Sequence, residues 1–242
     1  MAIIKEKGIV LNKIDTGEGN LRLVLLTENR GKLVVFANGA KKMTSRFNLN
    51  ASGFSYVEFI IFDGGGFLSL NNIHLLHSFN NIHLNYDKYL SACLFLEICD
   101  KMLFQNMDTS HILPIVLYSL YFLDKDIQEN KVVQAVFIFK FLQKEGIAPN
   151  ISCCTLCKKN INANTYFFAE GVACNFCKKT HKLYFMPILQ GSLDAIRYIL
   201  QAQAKNMFNF NISSDIVKEL NVASLLFLRE NTDIEFNTLK LR

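Results

Sequence analysis

The sequence lacks the features that would place the chain in a membrane or on a secretory route. No run of roughly eighteen uncharged apolar residues occurs, so we expect no membrane-spanning helix. The opening residues, MAIIKEKGIVLNK, interrupt their apolar run with Lys5, Glu6 and Lys7 and offer no small-residue cleavage site. We therefore expect no secretory signal and predict a cytoplasmic protein.

Motifs of the common enzyme classes are also missing. The chain contains no G-x-x-x-x-G-K-[ST] phosphate loop, no H-E-x-x-H metalloprotease helix and no G-x-S-x-G nucleophile turn. Its five histidines are scattered, and the glycine-rich stretches Gly17–Gly19 and Gly64–Gly66 are typical of hairpin turns. We expect no catalytic residue and predict that the protein is not an enzyme.

The chain does contain enough apolar material for a core, together with an uneven distribution of charge. Of its 242 residues 50% are hydrophobic and 19% are charged, as in a folded protein. Residues 1–47 carry nine Lys or Arg against four Asp or Glu, residues 48–152 carry six against ten, and residues 153–185 carry five against one. Two basic segments thus flank an acidic one, and a local basic surface attracts polyanions.

The first eighty residues predict short β-strands. Five segments rich in Val, Ile, Leu and Phe are separated by turn sequences such as DTGEGN, ENRG and DGGG. The segments are IIKEKGIVLNK, NLRLVLLTE, KLVVFANGA, FSYVEFIIF and FLSLNNIHLL. Five such strands suit a small closed barrel, and the OB type is the commonest that binds nucleic acid. The pattern does not separate an OB-type barrel from an SH3-like one.

From Asn85 the apolar spacing changes to that of an amphipathic helix. The stripe consists of Leu90, Leu94, Ile98 with Cys99, and Met102. Further helical segments are HILPIVLYSLYFLD, DIQENKVVQAVFIFKFLQKEG, PILQGSLDAIRYILQAQAKNM and SSDIVKELNVASLLFLREN. Ser213 and Ser214 are candidate N-caps of the last helix. The second part of the chain is therefore predicted to be helical, with a cysteine-rich insertion between its helices.

Four cysteines of that insertion form two C-x-x-C pairs, Cys154 with Cys157 and Cys174 with Cys177. Thiols stay reduced in the cytoplasm, and two such pairs at this spacing indicate a tetrahedral zinc site rather than disulfides. Four thiolates leave no position for a reactive water, so we expect a structural metal that substitutes for a hydrophobic core. Two assignments stay open, because Cys153 could replace Cys154 and His181 could replace Cys177.

A basic segment, NGAKKMTSR, follows the third predicted strand. A loop of this composition offers cationic donors and hydroxyl groups to successive phosphates. Basic side chains along a barrel face with aromatic neighbours are typical of single-strand binding. The candidate DNA-binding residues are Arg22, Lys32, Lys41, Lys42 and Arg46, with Phe36 and Phe47 nearby.

The order of these motifs resembles the RecO family of bacterial recombination mediators. The matching motifs are K-G-I-V-L (Lys7–Leu11), a G-E turn (Gly17 and Glu18), L-L-T-E-x-x-G-K (Leu25–Lys32), G-A-K-K-x-x-S-R (Gly39–Arg46) and the two later C-x-x-C pairs. The resemblance covers most of the chain and is sharpest in residues 7–46 and 154–177. In two respects the chain departs from the family pattern: its turn reads TGEGN, without the usual aromatic residue, and residues 48–152 are acidic.

The resemblance implies an α+β multidomain fold. An N-terminal five-stranded OB-type β-barrel over residues 1–80 is followed by an α-helical domain over residues 81–242, with a zinc-ribbon-like insertion at about 150–185. By position, Lys41, Lys42 and Arg46 match the family's basic barrel loop, and the four paired cysteines match its zinc ligands.

The resemblance also implies a function and partners. Members bind single- and double-stranded DNA, anneal complementary strands, and act with RecR to help RecA load onto DNA coated by single-strand-binding protein. The acidic C-terminal tail of single-strand-binding protein docks on the helical domain in the family. A cytoplasmic, nucleoid-associated location follows from this function.

Two hypotheses and one alternative add to this interpretation. Lysines around the cysteine pairs extend the DNA surface, and the tail docks in a groove that Lys140 and Lys144 rim beside Phe137 and Phe141. The lysines are Lys158, Lys159, Lys178, Lys179 and Lys182. The alternative is an RNA-binding or transcription-associated zinc-ribbon protein without annealing activity.

Overall fold

The computed structural model of the chain describes residues 2–41, 54–105, 107–161 and 164–241. It divides into two compact units. The first comprises Met1–Lys125 together with Phe236–Arg242, and the second comprises Asp126–Glu235. The first unit therefore includes two helices that the sequence interpretation placed with the domain of residues 81–242.

The predicted five-stranded N-terminal sheet is confirmed. Its strands are β1 (Ala2–Gly17), β2 (Asn20–Thr27), β3 (Gly31–Ala37), β4 (Ser55–Asp63) and β5 (Leu68–Ser78). They close into a barrel in the order β1-β2-β3-β5-β4, and β1 pairs antiparallel with both β2 and β4. Strands β3 and β5 meet in parallel where Phe36 lies opposite Ser69.

Alternation of side chains explains why these segments form the barrel wall. In β3, Leu33, Val35 and Ala37 are buried, whereas the residues between them are half-buried and face outward. The interior is filled by branched and aromatic side chains. Those with no exposed surface are Leu23, Leu25, Val35, Phe59 and Ile61. At Gly8 a Cβ atom would lie 2.1 Å from the carbonyl oxygen of Leu26, so only glycine allows β1 and β2 to approach this closely.

Two α-helices complete the first unit: α1 (Tyr86–Met102) and α2 (Leu113–Lys125). Asn85 caps α1, because its side-chain oxygen accepts a hydrogen bond from the backbone N–H of Lys88 at 3.1 Å. The predicted apolar stripe of α1 is buried at Leu90, Leu94 and Ile98 with Cys99. Short 3₁₀ helices, Asn80–Leu84 and Asn237–Leu241, pack against the same helix.

The second unit is built on α3 (Asn130–Lys144), which packs against α5 (Gln190–Gln201) and α6 (Ser214–Asn231). Ser213 occupies the N-cap position of α6, but its side chain makes no capping hydrogen bond. Between α3 and α5 lie three short strands and one short helix. They are β6 (Thr165–Phe168), β7 (Gly171–Cys174), α4 (Asn175–Thr180) and β8 (Met186–Pro187). None of the described helices combines the length and apolarity needed to cross a bilayer.

Lys140 contacts the C-terminal end of α5 instead of facing solvent. Its Nζ donates to the carbonyl oxygens of Ile199 at 3.1 Å and Leu200 at 2.9 Å, and to Gln143 Oε1 at 2.9 Å. A cation at the C-terminus of a helix stabilises the carbonyl groups that lack partners within the helix. Burial, with the charge of Lys144, lowers the pKa of Lys140 to about 8.

The hypothesis that Lys140 and Lys144 rim a tail-binding groove is therefore wrong. Lys140 is only 3% exposed, and the neighbouring Phe137 and Phe141 have no exposed surface. The ammonium group is used within the unit, and the two rings belong to its core.

Glu97 on α1 holds the C-terminal segment of the chain. Its carboxylate accepts hydrogen bonds from the backbone N–H groups of Asn237 at 2.7 Å and Thr238 at 2.9 Å, and it pairs with Lys101 at 2.8 Å. Burial alone would raise the pKa of Glu97, but these hydrogen bonds lower it to about 2. The carboxylate thus stabilises the free N–H groups at the start of the last 3₁₀ helix.

We predict that Glu97→Gln reduces the free energy of unfolding by about 1–3 kcal/mol at pH 7. The pKa of Glu97 is depressed from an ordinary 4.5 to about 2, so its contribution is full above pH 4.5 and is lost as the pH falls towards 2. Urea unfolding at pH 7 and at pH 3.5 measures this. The difference between wild type and variant should shrink at the lower pH.

Glu230→Gln is the matched control, because Glu230 is an exposed glutamate near the end of α6. It should change stability by less than about 0.5 kcal/mol. An equal loss in both variants, or a Glu97→Gln effect independent of pH, would contradict the anchoring role.

Candidate nucleic-acid interface and cysteine cluster

Two local structures aim the paired cysteines at one point. Cys154 and Cys157 lie in a tight loop, in which the N–H of Cys154 donates to the carbonyl of Lys159 at 2.9 Å and the N–H of Lys158 donates back to Cys154 at 2.8 Å. Cys174 ends β7, and Cys177 lies one turn later in α4. A strand passing directly into a helix therefore presents the second pair.

Gly171 allows the loop of the first pair to sit against the β6–β7 hairpin. Its φ of 137° is one that L side chains rarely adopt, and a Cβ there would lie 2.2 Å from the carbonyl oxygen of Asn150. Val172 N–H donates to that carbonyl at 2.9 Å, and Thr155 N–H donates to Val172 O at 2.8 Å. The backbone contacts fix the distance between the two pairs.

The four sulfur atoms form one cluster. The Sγ atoms of Cys154, Cys157, Cys174 and Cys177 all lie within 4.8 Å of one another, and those of Cys157 and Cys174 are 3.7 Å apart. Tetrahedral zinc with Zn–S bonds near 2.3 Å requires sulfur separations of about 3.8 Å. The donor set and its spacing therefore fit a structural metal with no open coordination position.

The surroundings of the cluster favour the thiolate form of Cys154. Burial alone would raise the pKa of the Cys154 thiol, but backbone N–H groups, including that of Cys174 at 3.4 Å, lower it to about 6. Burial and the neighbouring sulfurs raise the pKa of Cys177 to about 12. The two thiols thus have pKa values shifted in opposite directions. A cation placed among the sulfurs would lower the pKa of every thiol, because it favours the thiolate form of all four.

The two open ligand assignments have different surroundings. Cys153 lies outside the sulfur cluster, where its Sγ is 3.9 Å from Asn150 Nδ2. His181 is exposed, and its Nδ1 lies 3.0 Å from the carbonyl oxygen of Cys177 and from Thr180 Oγ1. Among the described residues, only the four cysteines of the C-x-x-C pairs come together as possible ligands.

An exposed patch on the barrel combines a cation with two aromatic rings. Arg22 on β2 lies opposite Phe36 on β3, and the ring of Phe36 stacks on that of Phe67 at 4.7 Å between centroids. Phe67, in the β4–β5 turn, is 49% exposed, and Arg22 is exposed. The guanidinium of Arg22 makes no ion pair with any residue that the structure describes. We call Arg22, Phe36 and Phe67 the barrel patch.

Lys41 lies at the same end of β2 and β3 as the barrel patch. Its backbone N–H donates to the carbonyl of Gly19 at 3.0 Å, and its ammonium pairs with Asp15. Both side chains are about half exposed, and an exposed pair of this kind contributes little and exchanges readily. Hydrogen bonds from Lys41 and Gly17 lower the pKa of Asp15. Lys42 and Arg46 lie outside the residues that the structure describes.

Lys32 does not belong to the exposed surface. Its ammonium pairs with Asp100 Oδ1 at 3.1 Å and donates to the carbonyl oxygens of Asp100 and Leu103 at the end of α1. Only 12% of its side chain is exposed. Lys32 thus contributes to packing α1 against the barrel, and the structure does not bring it together with Arg22 and Lys41 at a common surface.

The cysteine module, residues 150–185, carries the second basic surface. Its five lysines are exposed, and none pairs with an acid among the described residues. They are Lys158, Lys159, Lys178, Lys179 and Lys182. Lys178 lies over the ring of Tyr166, with its Nζ 5.0 Å from the centroid. Glu170 is the single acid of residues 150–185.

An apolar pocket of about 690 Å³ lies in the first unit, and its lining differs in chemistry from the basic surfaces. Tyr56, Tyr118 and Tyr121 line it together with Glu28, and no lysine or arginine does. It offers no lysine or arginine to a phosphate, so we do not include it in the nucleic-acid interface.

Sequence reasoning noticed Phe36 but missed Phe67. The signal in the sequence was an aromatic residue directly after the glycines Gly64–Gly66, at a position in the hairpin turn and outside the strands. Its partner could not be identified, because the contact joins residues 36 and 67 across the parallel β3–β5 pair.

Comparison with known proteins identifies the family. A model described as "Recombination protein O N terminal" matches residues 1–79, and one described as "Recombination protein O C terminal" matches residues 83–240. The chain belongs to the recombination protein O (RecO) family, which confirms the resemblance seen in the sequence.

Curated relatives carry the same name. The DNA repair protein RecO of Acetivibrio thermocellus is 27% identical over 99% of this chain and 96% of its own length. That of Clostridium acetobutylicum is 26% identical over 96% of this chain and 93% of its own length. The DNA repair protein RecO of Shouchella clausii is 30% identical over 72% of this chain and 68% of its own length.

We predict that the purified protein holds about one zinc ion per chain and that Cys174→Ser abolishes this content, as measured by elemental analysis. Cys153→Ser is the matched control and should keep the metal, since Cys153 lies outside the sulfur cluster. Acidification should release the ion, because protons compete with the metal for the thiolates. Metal retained by Cys174→Ser, or lost from Cys153→Ser, would contradict the assigned ligands.

Proposed function

We propose that this protein is a DNA repair and recombination mediator that binds single- and double-stranded DNA and anneals complementary strands without covalent catalysis. Membership of the RecO family supports the repair and recombination role. The observation that supports the binding site is the barrel patch, in which Arg22 makes no ion pair with a described residue and lies beside two stacked, outward-facing aromatic rings.

We infer that the barrel is of the OB type. OB barrels are five-stranded, and their binding face consists of strands 2 and 3 with the loops that join strands 1 and 2 and strands 4 and 5. The strand order β1-β2-β3-β5-β4 supports this inference. The barrel patch lies on β2, β3 and the β4–β5 turn, which corresponds to that face.

The proposed DNA-binding residues divide into two roles. Arg22 and Lys41 bind phosphates, and Phe36 with Phe67 offers a stacking surface for an unpaired base. Lys41 exchanges Asp15 for a phosphate, because an exposed ion pair of this kind contributes little stability. Lys42 and Arg46 join this set by their match to the basic loop of the family, and Lys32 does not, because α1 already binds its ammonium.

Annealing by such a surface is an electrostatic process. Two DNA strands repel each other through their phosphates, and cations on the protein neutralise part of that charge and release counterions. Arg22 and the five lysines of the cysteine module supply cations that no described acid neutralises. No bond is made or broken, so the protein needs no catalytic residue.

We propose zinc as the structural metal of the four-cysteine cluster, and RecR, the tail of single-strand-binding protein and, indirectly, RecA as partners. The sulfur spacing supports zinc, and the partners rest on the family resemblance alone. A cytoplasmic, nucleoid-associated location accompanies this function.

Binding to single-stranded oligonucleotides should weaken with salt by about 0.7 log unit per log unit for each neutralised phosphate. We predict that the double variant Arg22→Ala/Lys41→Ala lowers this slope by about 0.7–1.4 and weakens binding of all sequences alike. Fluorescence anisotropy across a salt series measures both. Lys218→Ala, which removes a 70%-exposed lysine on α6, is the control and should change neither. An unchanged slope in the double variant would contradict the barrel site.

Truncation of the stacking surface should weaken single-strand binding without changing the salt slope. We predict a loss of about 1–3 kcal/mol for Phe67→Ala, which corresponds to roughly 5- to 150-fold in the dissociation constant. Phe104→Ala is the matched control, since Phe104 is an exposed aromatic residue of the same unit that lies outside the barrel patch. Equal binding by wild type and Phe67→Ala would remove the aromatic part of the site.

Annealing of two complementary strands coated by single-strand-binding protein separates the proposed function from the RNA-binding alternative. We expect annealing to be faster with this protein than without it, and slower again with Arg22→Ala/Lys41→Ala. A protein that binds RNA tightly and leaves the annealing rate unchanged would favour the alternative.

A further inference from the structure

Two large aromatic side chains of the cysteine module project into solvent. Phe176 is 70% exposed in α4, and Tyr184 is 69% exposed eight residues later. Exposed rings of this size have an energetic cost in water, because each leaves well over a hundred square ångströms of mainly apolar surface uncovered. The module therefore exposes two aromatic side chains that a small hydrophobic core would be expected to bury.

The two rings are not needed to build the module. Its core consists of Cys154, Phe168, Ala173 and Cys177, with partly buried neighbours. The neighbours are Leu156, Cys157, Ile161, Ala169, Cys174 and Phe185. Phe168 and Phe185 contact each other at 5.4 Å between ring centroids, so this core already has its aromatic pair.

Lysines surround these rings in the sequence. Lys178 and Lys179 follow Phe176 in the same helix, and Lys182 precedes Tyr184 by two residues. The charge of residues 150–185 is five lysines against one glutamate, a balance of +4. Tyr166 is different, because it is half-buried and the ammonium of Lys178 already covers its ring.

We propose that the cysteine module is a second contact for single-stranded DNA, in which Phe176 and Tyr184 stack on unpaired bases and the surrounding lysines bind the phosphates. This inference rests on the proposed DNA-binding function and assigns it a further site. Glu170 and Glu230 line a small pocket beside Tyr184, but neither makes an ion pair with a module lysine. Exposed aromatics on a segment that carries such lysines are complementary to a chain of stacked bases linked by phosphates. A duplex offers the same phosphates, but its base faces are occupied by neighbouring bases.

The absence of tryptophan makes a local test possible. The chain has no Trp, so Phe176→Trp and, separately, Tyr184→Trp each create a single tryptophan whose emission reports on that position alone. Stacking of a base on the indole quenches its fluorescence. The same titration can follow overall binding by the anisotropy of a dye on an oligothymidylate, so local contact and total binding are measured together.

We expect the oligothymidylate to quench both reporters in step with binding. An abasic oligonucleotide of equal length and charge should bind through its phosphates and leave the emission nearly unchanged. Tyr86→Trp, an exposed position at the start of α1, is the control reporter and should not be quenched. Binding with no quenching at either module position would overturn this inference and leave the proposed function standing. Failure of the oligonucleotide to bind at all would overturn both.

Removal of the rings gives the second measurement. We predict that Phe176→Ala/Tyr184→Ala weakens single-strand binding by roughly 10-fold or more and changes duplex binding by less than 2-fold. Leu183→Ala is the matched control, because Leu183 is an exposed apolar residue of the same segment that has no π face. Zinc content should be equal in all variants, which shows that the module is folded. Equal weakening of single-strand and duplex binding would contradict stacking.

Discussion

The convergence of four cysteine sulfurs is the interaction on which the second basic surface depends. The small core around the sulfurs consists of Cys154, Phe168, Ala173 and Cys177 with a few half-buried side chains. That core is small, and the spacing of the sulfurs fits a structural metal that would join the loop of the first cysteine pair to the β7–α4 junction. The exposed lysines and aromatics of the module lie on the loop, on α4 and on the following segment, which carry or flank these cysteines.

Each unit uses its cations in two ways, some for packing within the unit and some on its exposed surface. Lys32 and Lys140 are inside, where each binds the C-terminal carbonyl groups of a helix and stabilises packing. Arg22 and the lysines of the cysteine module are outside and make no ion pair with a described acid. Lys41 is intermediate, since its exposed partner Asp15 competes only weakly with a phosphate. A count of basic residues would not distinguish these roles.

Patterns of local spacing predicted much of the molecule. The alternation of apolar and polar residues predicted the five strands of the barrel. The helical spacing of apolar residues predicted the buried stripe of α1 and the presence of α2, α3, α5 and α6. The two C-x-x-C pairs predicted the sulfur cluster, because two residues between cysteines suffice to aim both sulfurs at one point. In each case the information lay within a few residues of sequence.

Contacts between distant residues could not be predicted in this way. Lys32 meets Asp100 across 68 residues, and Lys140 meets Ile199 across 59, so neither spacing nor composition shows that their charges are used internally. The return of the chain end to Glu97 spans 140 residues. The exposure of Phe67, Phe176 and Tyr184 could not be predicted for a related reason. A sequence shows which residues are apolar, but it does not show which of them remain outside the core.

The central claim is that single-stranded DNA lies on the barrel patch with Lys41 and on the cysteine module. Acetylation of lysines followed by mass spectrometry, with and without a bound oligothymidylate, tests it most directly. The account predicts protection of Lys41 and of the module lysines Lys158, Lys159, Lys178, Lys179 and Lys182, with Lys205 and Lys218 equally reactive in both states. Protection of Lys205 and Lys218 while Lys41 and the module lysines remain fully reactive would contradict it.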